Sequence, residues 1–473
     1  MEPCYLSELL PCSSSFQNIL VRGISIDSRT ILKDEIYFAI EGNRYDGHDF
    51  IKDAISKGGC AVVYSKYMCF DDQSISHLNK VAMLKTKDTL VALGEASRSY
   101  IEKFKNVKKV GITGSNGKTT TKEMLSSILQ NNGKTLSSKG NFNNRIGLPL
   151  SAFNLASDID YSVFEMGTSV FGEINILSSI VKPDIGVITN IGVSHIETFG
   201  SLERVLNEKI DLFYNVNKDG TIVINNDDKN LKNLSHKKFK AKKFVSYSLE
   251  DINSDVYAKN IKMSENGTNF TLSHNKDSIN VFIPVRGIFN VSNALAAASC
   301  AIGLGVRLLD IKAGLENFNP PKMRMSVQTT SNGCILINDA YNANPSSVKA
   351  SIETTLDLYP NKQINLVLGD MLELGVDSDK FHFEMGKFIA AKNINSVSLL
   401  GEKSVNIKNA INNKNVFYAK NKEELFLHLK TLLVNNAVFL FKASRGIKLE
   451  EVYEKFYNEF LDRPTIYKER RTN

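Results

Sequence analysis

Val110-Gly111-Ile112-Thr113-Gly114-Ser115-Asn116-Gly117-Lys118-Thr119-Thr120-Thr121 decides how the rest of the chain is read. The β-leaning run Val107 to Thr113 enters a Gly-rich turn, and a helix leaves it. That helix carries apolar residues at Met124, Leu125, Ile128 and Leu129, with Gly133 placed to end it. Strand, Gly-loop, lysine, hydroxyl and helix make a polyphosphate site. Glycines let backbone N–H groups converge on the anion, and the helix N-terminus adds partial positive charge. Gly114, Ser115, Asn116, Gly117, Lys118, Thr119 and Thr120 are the expected cradle of a nucleoside triphosphate. Lys118 reaches the β- and γ-phosphates, and the Thr119 hydroxyl ligates Mg²⁺. The strict pattern has four residues between its glycines; here five separate Gly111 from Gly117, with Gly114 between them. A ligand-free Gly-rich loop is the alternative, and the Lys-Thr-Thr that opens the helix argues against it.

The chain has 473 residues, room for two to four domains, with 42% hydrophobic residues and no low-complexity tract. The start, Met1 to Tyr5, lacks the basic and apolar regions of a secretory signal. The most apolar stretch, Ala294 to Val306, is too short to span a bilayer and reads as a buried helix, so no integral membrane contact is expected. Six cysteines (Cys4, Cys12, Cys60, Cys69, Cys300, Cys334) are scattered without metal-ligand spacing, which fits reduced thiols in a cytoplasm. The net charge of +7 comes from 58 basic and 51 acidic residues. Basic clusters at 103–109 and 236–243 read as solvated faces, without the aromatic interleaving of a nucleic-acid module.

Residues 1–106 mix short strands and helices and read as a small α/β unit. Asp27-Ser28-Arg29 and Asp46-Gly47-His48 are, by composition alone, plain turn chemistry. Residues 107–320 alternate strands and helices around the phosphate loop. An apolar strand ends in Glu165-Met166-Gly167, a usual way to present an acid to a phosphate-loop magnesium. Another delivers Ile191 to His195. On their own residues, Glu165 is equally a strand-end carboxylate facing water, and His195 a satisfied loop histidine. The helix Ser201 to Phe213 puts Lys209 on its buried stripe, and the plain expectation is a stem that snorkels to solvent. Asn290 and Asn293 open the Ala-rich helix 294–302, where capping explains them. Pro320-Pro321 marks the next boundary.

Residues 321–473 read as a doubly wound, mostly parallel sheet, with strands at 334–338, 364–368, 396–400, 416–419 and 438–442. Its polar strand ends are Asp339-Ala340-Tyr341-Asn342-Ala343-Asn344-Pro345, Gly369-Asp370-Met371 and Ala443-Ser444-Arg445. Ligands sit at such ends in open α/β sheets, so these loops are expected to face the nucleotide.

Taken together, these stretches resemble the Mur ligases of bacterial peptidoglycan synthesis, over essentially the whole chain and in order. The off-register glycines are that superfamily's variant of the phosphate loop. Gly140-Asn141-Phe142-Asn143-Asn144, Glu165-Met166-Gly167, Tyr341-Asn342-Ala343-Asn344-Pro345, Gly369 to Gly375 and Ser444-Arg445-Gly446 carry the likeness further. They point within the family to the members that attach D-alanyl-D-alanine to UDP-N-acetylmuramoyl-tripeptide.

The resemblance implies an α/β protein of three domains: a small N-terminal UDP-substrate domain, a central P-loop ATPase domain with a mostly parallel sheet, and a C-terminal Rossmann-like domain. It implies ATP, two magnesium ions and a carbamylated Lys209 as cofactors, in a cytoplasmic monomer that binds no nucleic acid. Thr119, Glu165, His195 and the Lys209 carbamate correspond to metal ligands, and Lys118, Lys209 and His195 to the catalytic set. Asn290, Asn293, Arg324 and Asp339 match ATP contacts, with Asp339 at the ribose. The substrate-binding pattern falls on Ser28, Arg29, Asp46, His48, Asn141, Asn143, Asn144, Tyr341, Asn342, Asn344, Ser444 and Arg445. Four positions depart from the family pattern: Arg145, Phe289, Asn338 and Ala443. The implied reaction activates a peptide carboxylate as an acyl phosphate and passes it to an amine. Another amide ligase of the superfamily, such as a folylpolyglutamate synthase, is the alternative within enzymes; a nucleotide-dependent binding protein is the alternative outside them.

Overall fold

In the computed structural model the described residues are 1–66, 81–234, 236–239, 241, 243–412, 415–434 and 436–461. Cys69, Lys240 and Lys242 lie outside them. The remaining five cysteines are free thiols. No helix among the described residues is long and apolar enough to cross a membrane.

Three larger sheets organise the described residues, beside a small pairing of Cys4–Tyr5 with Leu20–Val21. The first is a four-stranded parallel sheet in the order Gly23–Ser25, Glu35–Phe38, Ala61–Tyr64, Ala82–Lys85. The helix Thr89–Ile101 joins it to the second sheet and is capped by Asp88, whose carboxylate accepts from the N–H groups of Leu90 and Val91. The buried face of this helix packs into the second unit: Tyr100, fully buried, donates from its hydroxyl to Leu155 O at 2.8 Å.

The second sheet has nine strands. Lys108–Thr113 lies between Ile185–Ile188 and Tyr161–Glu165, all parallel, which brings three strand ends to one edge of the sheet. Every residue of Ile185–Ile188 and Thr221–Asn225 is buried, as expected of strands covered on both faces. The far edge is an antiparallel meander, Val256–Ser264, Gly267–His274 and Asp277–Ile283. The helix Lys118–Gln130 comes directly after the phosphate loop, and Gly133 N–H bonds Leu129 O just past its end.

The Ala-rich helix is longer than the sequence suggested. It spans Ile288–Gly303 and starts from Gly287, whose φ of +97° few other residues adopt. Asn290 and Asn293 therefore lie inside the first two turns and do not cap it. Asn290 Nδ2 donates to Arg286 O, and Asn293 Nδ2 to Asn290 Oδ1. This helix packs against Lys118–Gln130, which puts Asn293 beside Gly117 of the phosphate loop, with Asn290 bonded to Asn293.

The third sheet runs Ser326–Thr329, Ile335–Asn338, Val438–Lys442, Ile364–Gly369, Ser396–Leu400, Asn415–Ala419, parallel except for its first, antiparallel edge strand. Its strands lie within a residue of the expected positions. The polar edge strand Ser326–Thr329 has no apolar run to betray it.

Candidate functional site

The phosphate loop is built by two residues that must be glycine. Gly114 (φ +151°) and Gly117 (φ +83°) have positive φ, and a Cβ on them would collide with Thr189 Oγ1 and Asn293 Oδ1 respectively. Neighbouring strand ends pin the loop: Asn116 N–H donates to Asn190 Oδ1 at 2.9 Å, and Thr189 Oγ1 donates to Asn116 O at 2.5 Å. Lys118 folds back, its Nζ donating to Gly114 O at 2.6 Å and Ser115 O at 3.3 Å. Desolvation lowers its pKa.

Beside the loop stand three titratable groups. Glu165, at the end of its strand, is 2% exposed. Its Oε1 accepts from Asn143 Nδ2 at 2.8 Å, while its Oε2 is buried without a donor among the described residues. Lys209, also 2% exposed, does not snorkel. Its helix, Leu202–Tyr214, is N-capped by Ser201 and turns that side chain into the interior. The adjacent carboxylate of Glu208 is occupied by the Gly172 and Ile174 N–H groups and the Thr168 hydroxyl. No hydrogen bond or ion pair holds the Lys209 amine among the described residues. Burial, reinforced by the charge of Lys118, pushes its pKa well below the usual lysine value. His195 sits at φ +52°, its Nδ1 2.8 Å from Glu373 Oε2. That contact holds the Glu373 carboxyl below its ordinary pKa.

The third sheet closes the opposite wall. Arg324 Nη2 donates to Thr119 Oγ1 at 3.0 Å, and its guanidinium lies 4.3 Å from the centre of the Tyr341 ring. Asn344 Nδ2 donates to Asn116 Oδ1 at 2.8 Å, while Asn116 Nδ2 donates to Ser346 Oγ at 3.1 Å. Asn344 also caps Pro345–Leu358, so one residue starts a helix and touches the phosphate loop. Asp339 accepts from Lys442 Nζ at 2.5 Å, Ser351 Oγ at 2.6 Å and Met325 N–H at 3.1 Å. Between the two walls lies a cleft of about 680 Å³. A partly enclosed space lined by amides, cations and a bare carboxylate oxygen suits a polyanion and a carboxylate-bearing substrate.

This combination has known relatives. A family model described as Mur ligase middle domain matches residues 112–301, one described as Mur ligase, glutamate ligase domain matches 323–445, and one described as Mur ligase family, catalytic domain matches 20–101. The UDP-N-acetylmuramoyl-tripeptide--D-alanyl-D-alanine ligase of Bacillus subtilis is 34% identical over 442 residues, 92% of this chain and 93% of that protein. The chain belongs to the Mur ligase family. Among solved structures, MurF from Acinetobacter baumannii superposes with a TM-score of 0.87 at 28% identity, covering 97% of this chain and 99% of that one. MurF ligase from Thermotoga maritima in complex with ADP gives 0.82 at 27% identity, over 93% and 98%.

In this Mur ligase the cleft gathers most of the residues singled out in the sequence. From the central unit come Ser115, Asn116, Gly117, Lys118, Thr119 and Thr120, with Asn141, Asn143, Glu165, His195, Lys209, Asn290 and Asn293. From the third sheet come Arg324, Asp339, Tyr341, Asn342, Asn344 and Arg445. Phe289, one of the family departures, also lines it.

Others lie off its lining. Gly114 contributes its carbonyl to Lys118. Asn144 caps the helix Gly147–Ala152 through the Ile146 and Gly147 N–H groups. Ser444 is buried and ties two loops together, accepting from Leu372 N–H and donating to Ala343 O. Ser28, Arg29, Asp46 and His48 lie on the segments that connect strands of the first sheet, Asp46 capping the 3-10 helix Gly47–Phe50 that holds His48. Arg29 makes a paired contact with Asp27, and His48 is buried between Asp46 Oδ1 and the Ser65 N–H. Of the other departures, Arg145 reaches Asp88 at 4.0 Å, Asn338 accepts from Ala340 N–H, and Ala443 is buried against Gly369. Glu373 and Lys442 line the cleft without having been singled out. Their partners, His195 and Asp339, lie far away in sequence, and only the Gly369 to Gly375 motif hinted at the first.

Proposed function

We propose that this Mur ligase joins D-alanyl-D-alanine to UDP-N-acetylmuramoyl-tripeptide with hydrolysis of ATP to ADP and phosphate. The observation that carries the reading is the single cleft in which the phosphate loop, Glu165, His195 and Lys209 face Arg324, Tyr341 and Asn344. The name of the Bacillus subtilis relative supports the substrates, and the Thermotoga maritima ADP complex supports the nucleotide. The chain divides as 1–106 for the UDP-substrate, 107–320 for ATP and 321–473 for the ligase domain. A monomer is the assembly in this reading, and the free cysteines among the described residues suit a cytoplasm.

The tripeptide's terminal carboxylate attacks the γ-phosphorus, the bond to the β-phosphate oxygen breaks, and an acyl phosphate and ADP result. The dipeptide amine then attacks the acyl carbon, phosphate leaves, and the nitrogen gives up a proton as the amide forms. Carboxylate and triphosphate repel one another, so the residues serve chiefly to position and neutralise. Lys118 leaves its loop carbonyls for the phosphates, and Arg324 covers them from the other wall. Asn290 and Asn293 would serve the adenine side of the nucleotide. Ser28, Arg29, Asp46 and His48 would serve the UDP portion.

The donor set fits a hard divalent cation: the unpartnered Glu165 Oε2, the Thr119 hydroxyl and the His195 imidazole. Magnesium bound there would spread the charge of the transferring phosphoryl group. Lys209 fits carbamylation, since its amine is buried and without a partner among the described residues, and burial pushes its pKa down toward the neutral form that adds CO₂ to become an anion.

The test is a product mass spectrum with ATP, the UDP-tripeptide and the dipeptide. Dipeptide-dependent formation of the pentapeptide mass supports the reading. Phosphate release without any new amide contradicts it.

A further inference from the structure

We infer that Glu373 is the residue through which docking of the C-terminal sheet completes the divalent-cation site, by fixing the His195 imidazole; the inference rests on reading His195 as a cation ligand. Glu373 lies between the strand Ile364–Gly369 and the helix Ser378–Ala390 of the third sheet. His195 comes after the strand Ile185–Ile188 of the second. The Oε2 to Nδ1 distance is 2.8 Å, and no other group holds the ring by a hydrogen bond among the described residues.

The surroundings make this contact a fixed one. Glu197 N–H donates to Glu373 O at 3.3 Å, adding a backbone thread to the side-chain one. Gly375, at φ +60°, fits against the same turn, where a Cβ would stand 2.9 Å from Glu197 Cα. Val193 and Ile196 pack against the apolar core of the third sheet. The loop that presents Glu373 is held from behind, with Met371 N–H on His382 Nε2 at 3.0 Å and Leu372 N–H on Ser444 Oγ at 2.9 Å. Glu373 (φ 64°) and His195 (φ 52°) both have left-handed backbones, so two strained residues meet at one point of the junction. Such strain persists only where the surroundings over-determine it.

A ring whose Nδ1 donates to a carboxylate carries its proton there, so Nε2 keeps the lone pair that ligates a cation. Here the orienting carboxylate belongs to a different domain from the imidazole. The ring is therefore oriented only when the domains are docked, and cation binding and docking must strengthen each other by the same factor.

Mn²⁺ titration followed by electron paramagnetic resonance, with ADP present, tests this on the full chain. Glu373→Ala should weaken Mn²⁺ binding by about tenfold or more. Glu373→Gln, whose amide oxygen still accepts from Nδ1–H, should lose less, and ADP affinity without Mn²⁺ should not change. His195→Ala should weaken Mn²⁺ at least as much as Glu373→Ala. Wild-type Mn²⁺ affinity in Glu373→Ala beside a weakened His195→Ala would overturn the role of Glu373 alone. Wild-type affinity in His195→Ala would overturn the reading of His195 as a ligand, and the inference with it. Should Glu373→Ala fail to fold, as judged by circular dichroism, Glu373→Ser carries the same outcomes.

Discussion

Arg324 Nη2 donates to Thr119 Oγ1 at 3.0 Å, so a guanidinium entering the third sheet reaches the hydroxyl of a phosphate loop built on the second. The same guanidinium lies over the Tyr341 ring, which fixes its plane. Arg324→Ala is expected to lower the ligation rate by about 100-fold, the usual scale for losing one preorganised charge at a transferring group. Arg324→Lys should recover only part, since an ammonium cannot stack in the same way. Steady-state phosphate release measures both.

Lys118 is held by the carbonyls of Gly114 and Ser115, ready to exchange them for phosphate oxygens. Lys118→Ala should abolish measurable ligation, with a loss of at least about 100-fold, and leave the fold intact. Ligation assays beside a circular dichroism spectrum separate the two effects.

Lys442 and Asp339 form a buried ion pair, with side chains 3% and 12% exposed. Removing one partner of such a pair leaves an uncompensated charge, so Lys442→Met should cost about 3 kcal/mol. Pairing it with Asp339→Asn removes the second charge and should return part of that loss. Denaturant melts of the single and double variants check this.

His382 is fully buried, with Nδ1 on Ser378 O and Nε2 accepting from Met371 N–H, the neutral tautomer. Burial lowers its pKa below 6.5, against the raising pull of Ser378 O, Asp370 and Asp379, with Lys403 adding to the lowering. The unfolded chain therefore binds more protons between the folded value and 6.5. Stability should fall as pH drops through that window and level off below it. His382→Gln lacks this component, so its melting temperature should fall less steeply than the wild type's from pH 7 downward.

Lys209 is expected to depend on dissolved CO₂. Degassed, CO₂-free buffer should slow ligation, and added bicarbonate should restore it. Lys209→Arg, whose side chain stays cationic, should be inactive in both buffers.

Much of this was legible in the sequence, and the failures have physical causes. The strands Ser396–Leu400 and Val438–Lys442 are continuous apolar runs bounded by polar turns, and both fall where expected. Ser201 likewise starts the helix Leu202–Tyr214, and Val205, Lys209 and Phe213 fall on its buried face as expected, whereas Leu202 in its first turn is exposed. The meander Val256 to Ile283 mixes buried and exposed residues without a steady alternation, and its sequence is a polar, β-rich stretch with no clear strand period. Helix periodicity placed Lys209 on the inner face, but whether its head escapes to solvent depends on the neighbouring Glu208, already occupied by the Thr168–Ile174 loop. Asn290 and Asn293 looked like caps because the Ala-rich run starts after them, whereas Gly287 starts the helix. Lys442 was invisible as a site residue, and Glu373 showed only within the Gly369 to Gly375 motif, for a simpler reason: each is defined by a partner more than a hundred residues away.

The central claim is that the cleft activates a carboxylate by taking the γ-phosphoryl group onto it. Labelling the tripeptide's terminal carboxylate with ¹⁸O and weighing the released phosphate tests it most directly. An acyl phosphate intermediate places one ¹⁸O in each phosphate released. Phosphate free of label, with the amide still formed, would contradict the account.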